Sequence, residues 1–289
     1  MSRSDHLVAV PNVSEGRDAA VVARLRASVE DAGARVLDVH SDPVHNRSVV
    51  TAAAEPATLI DAMVGLAREA QSIDLSRHTG VHPRLGVLDV CPFVVDGRLA
   101  REVVDVARAA GRAIAARAGI PVYLYALAAT RPECERLPDL RRGGLQALAK
   151  RSAGDLPPDF GPPTIDPRVG VTCVGARGVL IAFNVWLRAD AATARGIAAE
   201  VRAELGAAGV RALGLDAGDG LAQVSMNLTE PARAGIEEAF AAVAARARAA
   251  VHATELVGLP PERFMPDPDA EAARLLLEPG RSLERVLAG

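Results

Sequence analysis

The chain has 289 residues, of which 49% are hydrophobic and only 3% aromatic, enough apolar material for one large domain or two ordinary ones with a core of Ala, Val and Leu. Its formal net charge of -3 gives no general reason to expect nucleic acid or an anionic membrane as a partner, and with Lys150 the only lysine nearly all its positive charge is Arg, which favours bidentate contacts to carboxylates. Cys91, Cys134 and Cys173 form no CxxC pair, which excludes a disulfide scaffold and a zinc site, and the absence of a signal-peptide core or an apolar run of roughly 20 residues leads to the expectation of a soluble cytoplasmic protein.

Leu7–Val13 reads as a buried strand ending in the turn formers Asn12, Ser14 and Gly16. A helix is expected over about Arg17–Ala32, with Val21, Leu25 and Val29 on one face and Gly33 as its stop. Arg35–Val39 is a second strand, His40–Asn46 a connection rich in turn formers, and Arg47–Ala54 a third strand. Pro56 opens a helix with Leu59, Met63 and Leu66 on one side. Next comes the polar loop Asp74-Leu-Ser-Arg-His78-Thr-Gly-Val-His82-Pro-Arg84, which feeds the apolar strand Leu85–Phe93. Its histidines either cap a turn or do chemistry, since the strand fixes their position and the loop gives access. This β-α-β-β-α-β order is the ferredoxin-like pattern. A helix over about Arg98–Ala118 and a strand Pro121–Tyr125 extend it.

Thr130–Pro167 carries seven prolines. It is expected to be irregular apart from a short helix within Asp139–Ser152, and to serve either as a ligand wall or as a linker. The strand–helix order then returns: a strand Gly178–Leu187, a helix Asp190–Gly206, strands Val210–Leu215 and Leu221–Thr229, a helix opened by Pro231 and running to about Ala250, and a strand His252–Val257. The tail Pro266–Gly289, with a short amphipathic helix through Leu275–Leu277, reads as peripheral. The fold class is therefore α/β (α+β), with two ferredoxin-like βαββαβ subdomains, 1–176 and 177–289, side by side around a ligand cleft. Gln223, Ser225 and Asn227 alternate along one strand and share a face. With Asn184 they form either a solvent edge or a polar binding surface.

Several segments then carry a resemblance. Pro11-Asn-Val-Ser-Glu-Gly16, Asn46-Arg47, Ser76-Arg-His-Thr-Gly-Val-His-Pro-Arg84, Leu88-Asp-Val-Cys-Pro-Phe93, Pro158-Asp-Phe-Gly-Pro162, Leu180-Ile-Ala-Phe-Asn184, Leu221-Ala-Gln-Val-Ser225 and Glu255-Leu-Val-Gly258 occur in this order. Over about residues 8–258 the chain resembles the glutamate formiminotransferase family, the N-terminal module of formiminotransferase-cyclodeaminase and its free-standing bacterial relatives. The resemblance implies a homodimer of two-subdomain chains with a folate cleft. It also implies transfer of a formimino group from N-formimino-glutamate to tetrahydrofolate, a co-substrate, with no metal and no covalent intermediate.

On the matching positions, the resemblance makes His82 the catalytic base, a task that suits imidazole. His78 then supports the loop, and Arg47 and Arg84 hold substrate carboxylates by bidentate pairing. Asn12, Asn184, Gln223 and Asn227 are the polar binding residues, and the folate loop maps to Gly161–Gly170, including Pro162. Two departures stand out. His40 occupies a place where the family usually has an acid assisting the histidine; Asp42 lies two residues on. A carboxylate beside His82 would raise its pKa, whereas a second imidazole would not. Gly178 stands where relatives commonly have lysine. These departures leave open another one-carbon donor, a hydrolase on the same scaffold, and non-catalytic folate binding.

Overall fold

The computed structural model describes residues 6–80, 83–247, 250–266, 275 and 281–289. The chain divides into two compact units, Met1–Arg177 and Gly178–Gly289.

The first unit opens with β1 (Leu7–Ala9) and β2 (Asn12–Val13), one strand interrupted at Val10-Pro11. Then come α1 (Ala19–Glu30), β3 (Arg35–Asp42), β4 (Arg47–Ala54), α2 (Pro56–Ala70) and β5 (Leu88–Val95). Local chemistry sets the helix starts. The Asp18 carboxylate accepts from the N–H groups of Ala20 and Val21, an N-cap that satisfies two donors the helix leaves open. Pro56 occupies the first turn of α2, where a missing N–H costs nothing. The expected period is borne out: Leu59, Met63 and Leu66 are fully buried.

The interrupted strand lies between β4 and β5, and β3 flanks β4. All these pairs are antiparallel. In order of the four ferredoxin strands the arrangement is fourth, first, third, second, as the ferredoxin-like reading requires. Helix α3 (Ala100–Ala118) leads to β6 (Val122–Ala126), and β7 (Thr172–Gly178) slots between β5 and β6, parallel to β6. Among the described residues this makes a seven-stranded sheet.

Strand β7 has no counterpart in the sequence reading. Val174 and Ala176 pack with the helices, while Cys173 packs on the opposite face, so burial on both sides erases the alternation that marks a half-exposed strand. The segment before it bears out the short helix expected within Asp139–Ser152. It holds α4 (Leu137–Leu140) and α5 (Gly144–Ser152). Leu140, Leu148 and Leu156 join Val90, Tyr123 and Cys173 in a separate apolar cluster. The segment therefore covers one end of the sheet face opposite α1–α3 and is no linker.

The second unit contains β8 (Ile181–Leu187), α6 (Ala191–Leu205), β9 (Val210–Gly218), β10 (Leu221–Leu228), α7 (Ile236–Ala247) and β11 (Val251–Val257). Its sheet runs β11-β8-β10-β9, again fourth, first, third, second. Phe183, Val185, Val224 and Met226 pack with α6 and α7 in its core. Two expectations are corrected here. Helix α7 begins at Ile236; Pro231 sits in a preceding turn. The tail is not simply peripheral either. Leu275 is fully buried in the core, its carbonyl accepts from Thr254 Oγ1 at 2.5 Å, and α8 (Leu283–Ala288) follows a buried Ser282. The helix expected through Leu275–Leu277 lies, apart from Leu275, outside the described residues.

Candidate active site

Three loops of the first unit converge where β3 turns into β4. Gly16 N–H donates to Asn46 Oδ1 at 3.0 Å, and Asn46 Nδ2 donates to the Thr79 carbonyl at 3.1 Å. Asn46 adopts φ 47°, a left-handed conformation that Asn tolerates better than most side chains. Arg17 bridges the same loops, from Nε to the Pro43 carbonyl at 2.7 Å and from Nη1 to Thr79 Oγ1 at 3.0 Å. Arg84 reaches back to the carbonyls of His45 at 3.0 Å and Asn46 at 3.3 Å. A β-carbon on Gly80 would strike the His45 carbonyl, so the histidine loop lies directly on the β3–β4 turn. His82 itself lies outside the described residues.

His78 and Arg84 are brought together: Arg84 Nη1 touches both ring nitrogens, Nε2 at 2.9 Å. Burial, then the Arg84 cation, lowers the His78 pKa; Glu15 acts in the opposite sense and Arg17 in the same one. His78 is thus neutral at neutral pH and accepts from the guanidinium, a support role. The unfolded chain, with its imidazole near the ordinary ~6.5, takes the proton first. Native stability must therefore fall as pH drops through that value. Wild type is expected to lose more in Tm than His78→Asn between about pH 7.5 and about pH 5.5; equal losses in thermal melts would show that the ring titrates as in water.

The sheet register places His40, Val49, Asn12 and Val90 in one row across four strands. Asp42 pairs with Arg47 two rows on toward the loops. The Asp42 carboxylate is engaged in its own turn: Oδ1 accepts from the N–H groups of Val44 and His45, and Oδ2 lies 3.7 Å from His45 Nε2. Asn12 donates from Nδ2 to the Val10 carbonyl at 2.9 Å, which spans the strand interruption. Burial lowers the Arg47 pKa to about 10, with Asp89 and Asp42 as attractive neighbours and Arg141 and Arg84 as repulsive ones. The buried Asp89–Arg141 pair was missed at the sequence level. The signal was present, since Asp89 is the lone acid in the apolar run Val87–Phe93, but nothing local points to a partner 52 residues away.

The Gly161–Gly170 loop is tied to the same region. Gly170 forms an isolated bridge with Gly86, and Leu75 N–H donates to the Arg168 carbonyl at 2.9 Å. Gly161, at φ 88°, packs on Ile120-Pro121, and Pro162 is exposed.

In the second unit, Asn184 and Gln223 converge on one acceptor. Glu255 Oε2 receives Asn184 Nδ2 at 2.8 Å and Gln223 Nε2 at 3.4 Å. Both amides are buried, on the sheet face opposite the helices. Asn227 shares the strand face, as expected, but not the cluster: it is exposed and stands opposite Ala182 and Arg211. In the sequence Glu255 stands out only within the segment Glu255-Leu-Val-Gly258.

In the first unit, the guanidinium groups near the histidine loop are of the kind that pairs with carboxylates. Among the described residues no group of three or more His, Cys, Asp or Glu is placed to hold a metal ion, and no helix is long and apolar enough to cross a membrane.

Comparison with known proteins agrees with this geometry. Residues 6–177 match the formiminotransferase domain, N-terminal subdomain. The chain is 36% identical to a glutamate formimidoyltransferase of Streptococcus pyogenes serotype M1, with 89% of this chain and 90% of the relative covered. It is 37% identical to a glutamate formimidoyltransferase of Thermoplasma acidophilum, with 89% of each covered. It is 39% identical to formimidoyltransferase-cyclodeaminase of Sus scrofa over 89% of this chain, and spans only 50% of that longer protein. A ferredoxin-like unit with the interlocked histidine loop, a family match over residues 6–177 and relatives of which 89–90% is covered lead to one conclusion: the chain belongs to the formiminotransferase domain family.

Proposed function

We propose that the chain is a transferase that moves the formimino group of N-formimino-L-glutamate to tetrahydrofolate, giving 5-formiminotetrahydrofolate and glutamate. Histidine degradation and one-carbon metabolism are the setting of that reaction. The match to glutamate formimidoyltransferases, covering 89–90% of their length, carries the reading; the guanidiniums gathered near the histidine loop support it.

The pterin amine at N5 attacks the amidine-like carbon, a tetrahedral intermediate forms, and the glutamate nitrogen leaves. His82 takes the proton from the attacking amine and delivers one to the leaving nitrogen. Arg47 and Arg84 pair with substrate carboxylates. A neutral His78 keeps Arg84 aimed without adding repulsion. Asn12 and the Gly161–Gly170 loop with Pro162 bind the folate, and the Asn184–Gln223 pair with Asn227 supplies a further polar binding surface. His40 lies in the row of Asn12 and takes the place of the family's assisting acid. Tetrahydrofolate is a co-substrate, and the chain acts as a homodimer in the cytoplasm.

A second reading is favoured by one observation. Asp42, the nearest candidate for the assisting acid, is engaged by its own turn. Transfer from a related donor, or hydrolysis of an amidine, then comes into view. Incubation with formiminoglutamate, with and without tetrahydrofolate, separates these. Folate-dependent loss of the donor is expected. Loss without folate selects the hydrolase, and no loss rules out this donor.

A further inference from the structure

The amide cluster of the second unit is one donor short. Glu255 Oε2 accepts from Asn184 Nδ2 and Gln223 Nε2, so both amides commit an N–H to one carboxylate, a group that only accepts. Gln223 Oε1 receives nothing. It is buried, in a residue 1% exposed, and no hydrogen-bond donor reaches it among the described residues. Turning the amide over gives no relief, because it would set Oε1 against the Glu255 carboxylate. A buried acceptor without a donor is costly, and a ligand that supplies an N–H or O–H removes the cost. The surroundings narrow the ligand further. Glu255 repels an anion, so the incoming donor is neutral or cationic. In the sheet register Gln223 stands between Trp186 on β8 and Leu215 on β9, and Trp186 is only half-buried. An indole beside the acceptor favours a flat or cationic partner.

We propose that Asn184, Gln223 and Glu255 form a subsite for a planar N–C–N edge, an amidine or an aminopyrimidine, with Gln223 Oε1 as its acceptor, Glu255 as its counter-charge and Asn184 holding that carboxylate in aim. Such an edge presents parallel N–H donors as a guanidinium does, and the subsite turns carboxylates away. The inference deepens the polar binding surface of the proposed function and rests on that reading for the source of the edge, but not for the existence of the subsite. Formiminoglutamate would supply its formimino group, and tetrahydrofolate the aminopyrimidine edge of its pterin.

The test titrates the full chain with formamidine and with 6-methylpterin, neither of which carries a carboxylate, and with glutarate as the anionic control. Trp186 is the only tryptophan, so its fluorescence reports on the site, with thermal melts alongside. Wild type, Gln223→Met and Glu255→Gln are compared; glutamine keeps an oxygen for Asn184 and Gln223 and removes only the charge. Saturable quenching by at least one of the two donor probes, and none by glutarate, is expected in the wild type. Affinity should fall about fivefold in Gln223→Met, as for one neutral hydrogen bond, and roughly tenfold or more in Glu255→Gln. Methionine leaves no buried oxygen to satisfy, so Gln223→Met without ligand should melt no lower than wild type. A purely structural Gln223 would instead lower Tm and leave probe affinity alone. In turnover, each variant should raise KM more than it lowers kcat. Effects confined to formamidine and formiminoglutamate assign the edge to the donor; effects confined to 6-methylpterin and tetrahydrofolate assign it to the pterin. Probe binding that depends on Gln223 and Glu255, in a chain that transfers nothing, upholds the subsite and sinks the proposed reaction. No saturable response to either probe in the folded wild type, or unchanged affinity and KM in the folded variants, overturns the inference even where transfer is normal.

Discussion

His82→Ala is expected to lower kcat by about 10²–10⁴-fold while leaving tetrahydrofolate binding within a few-fold of wild type. The reaction needs one group to accept a proton from the attacking amine and return one to the departing nitrogen. Imidazole does both near neutral pH, and alanine does neither. Binding should survive because the contacts proposed for the folate lie elsewhere, on Asn12 and the Gly161–Gly170 loop. Single-turnover kinetics with formiminoglutamate, alongside direct titration with tetrahydrofolate, checks both halves. Undiminished turnover would remove His82 as the base. Lost binding with normal melting would instead place it in the folate contact.

Gly86→Ala is expected to be the most damaging conservative change to the fold. Gly86 and Gly170 face each other in a bridge, with Val171 N–H donating to the Leu85 carbonyl and Val87 N–H to the Val169 carbonyl, each at 2.9 Å. A β-carbon on Gly86 would land inside the Val171 carbonyl. Backbone on both sides cannot yield as a flexible side chain can, so the two segments must separate. A loss of about 3 kcal/mol or more follows, a fall in Tm of roughly 6–12 °C. Because this bridge ties the histidine loop to the Gly161–Gly170 loop, KM for tetrahydrofolate should rise in the same variant. A normal Tm would mean that the close approach is relieved in solution.

How much of this was legible follows from what each feature depends on. Helices α1, α2 and α6 are written locally. Asp18, Pro56 and Asp190 mark their starts, and apolar residues recur at the helical period because one side is buried and the other wet. Strand β10 was legible by its alternation, and β4 as an apolar run between turn formers, although it is buried on both faces. The resemblance along residues 8–258 supplied the family, which the comparisons bear out. Strand β7 was not legible, because burial on both faces leaves no period to read. Nor were the interruption of the first strand at Val10-Pro11 and the ordering of Leu137–Ser152 into a cover.

The sequence by itself determined the kinds of element, their order, the ferredoxin-like class and the family, since these rest on one-sided burial, turn chemistry and matched motifs. Only the tertiary structure decided which residues meet. It paired Asp89 with Arg141, set neutral His78 against Arg84, locked Asp42 into its turn with His45, and drew Asn184 and Gln223 to Glu255 while leaving Asn227 outside. Most of these are contacts between segments distant in the chain, and the His78–Arg84 and Asp42–His45 pairs are loop contacts with competing partners. Their energy comes from burial and charge that exist only once the chain has folded.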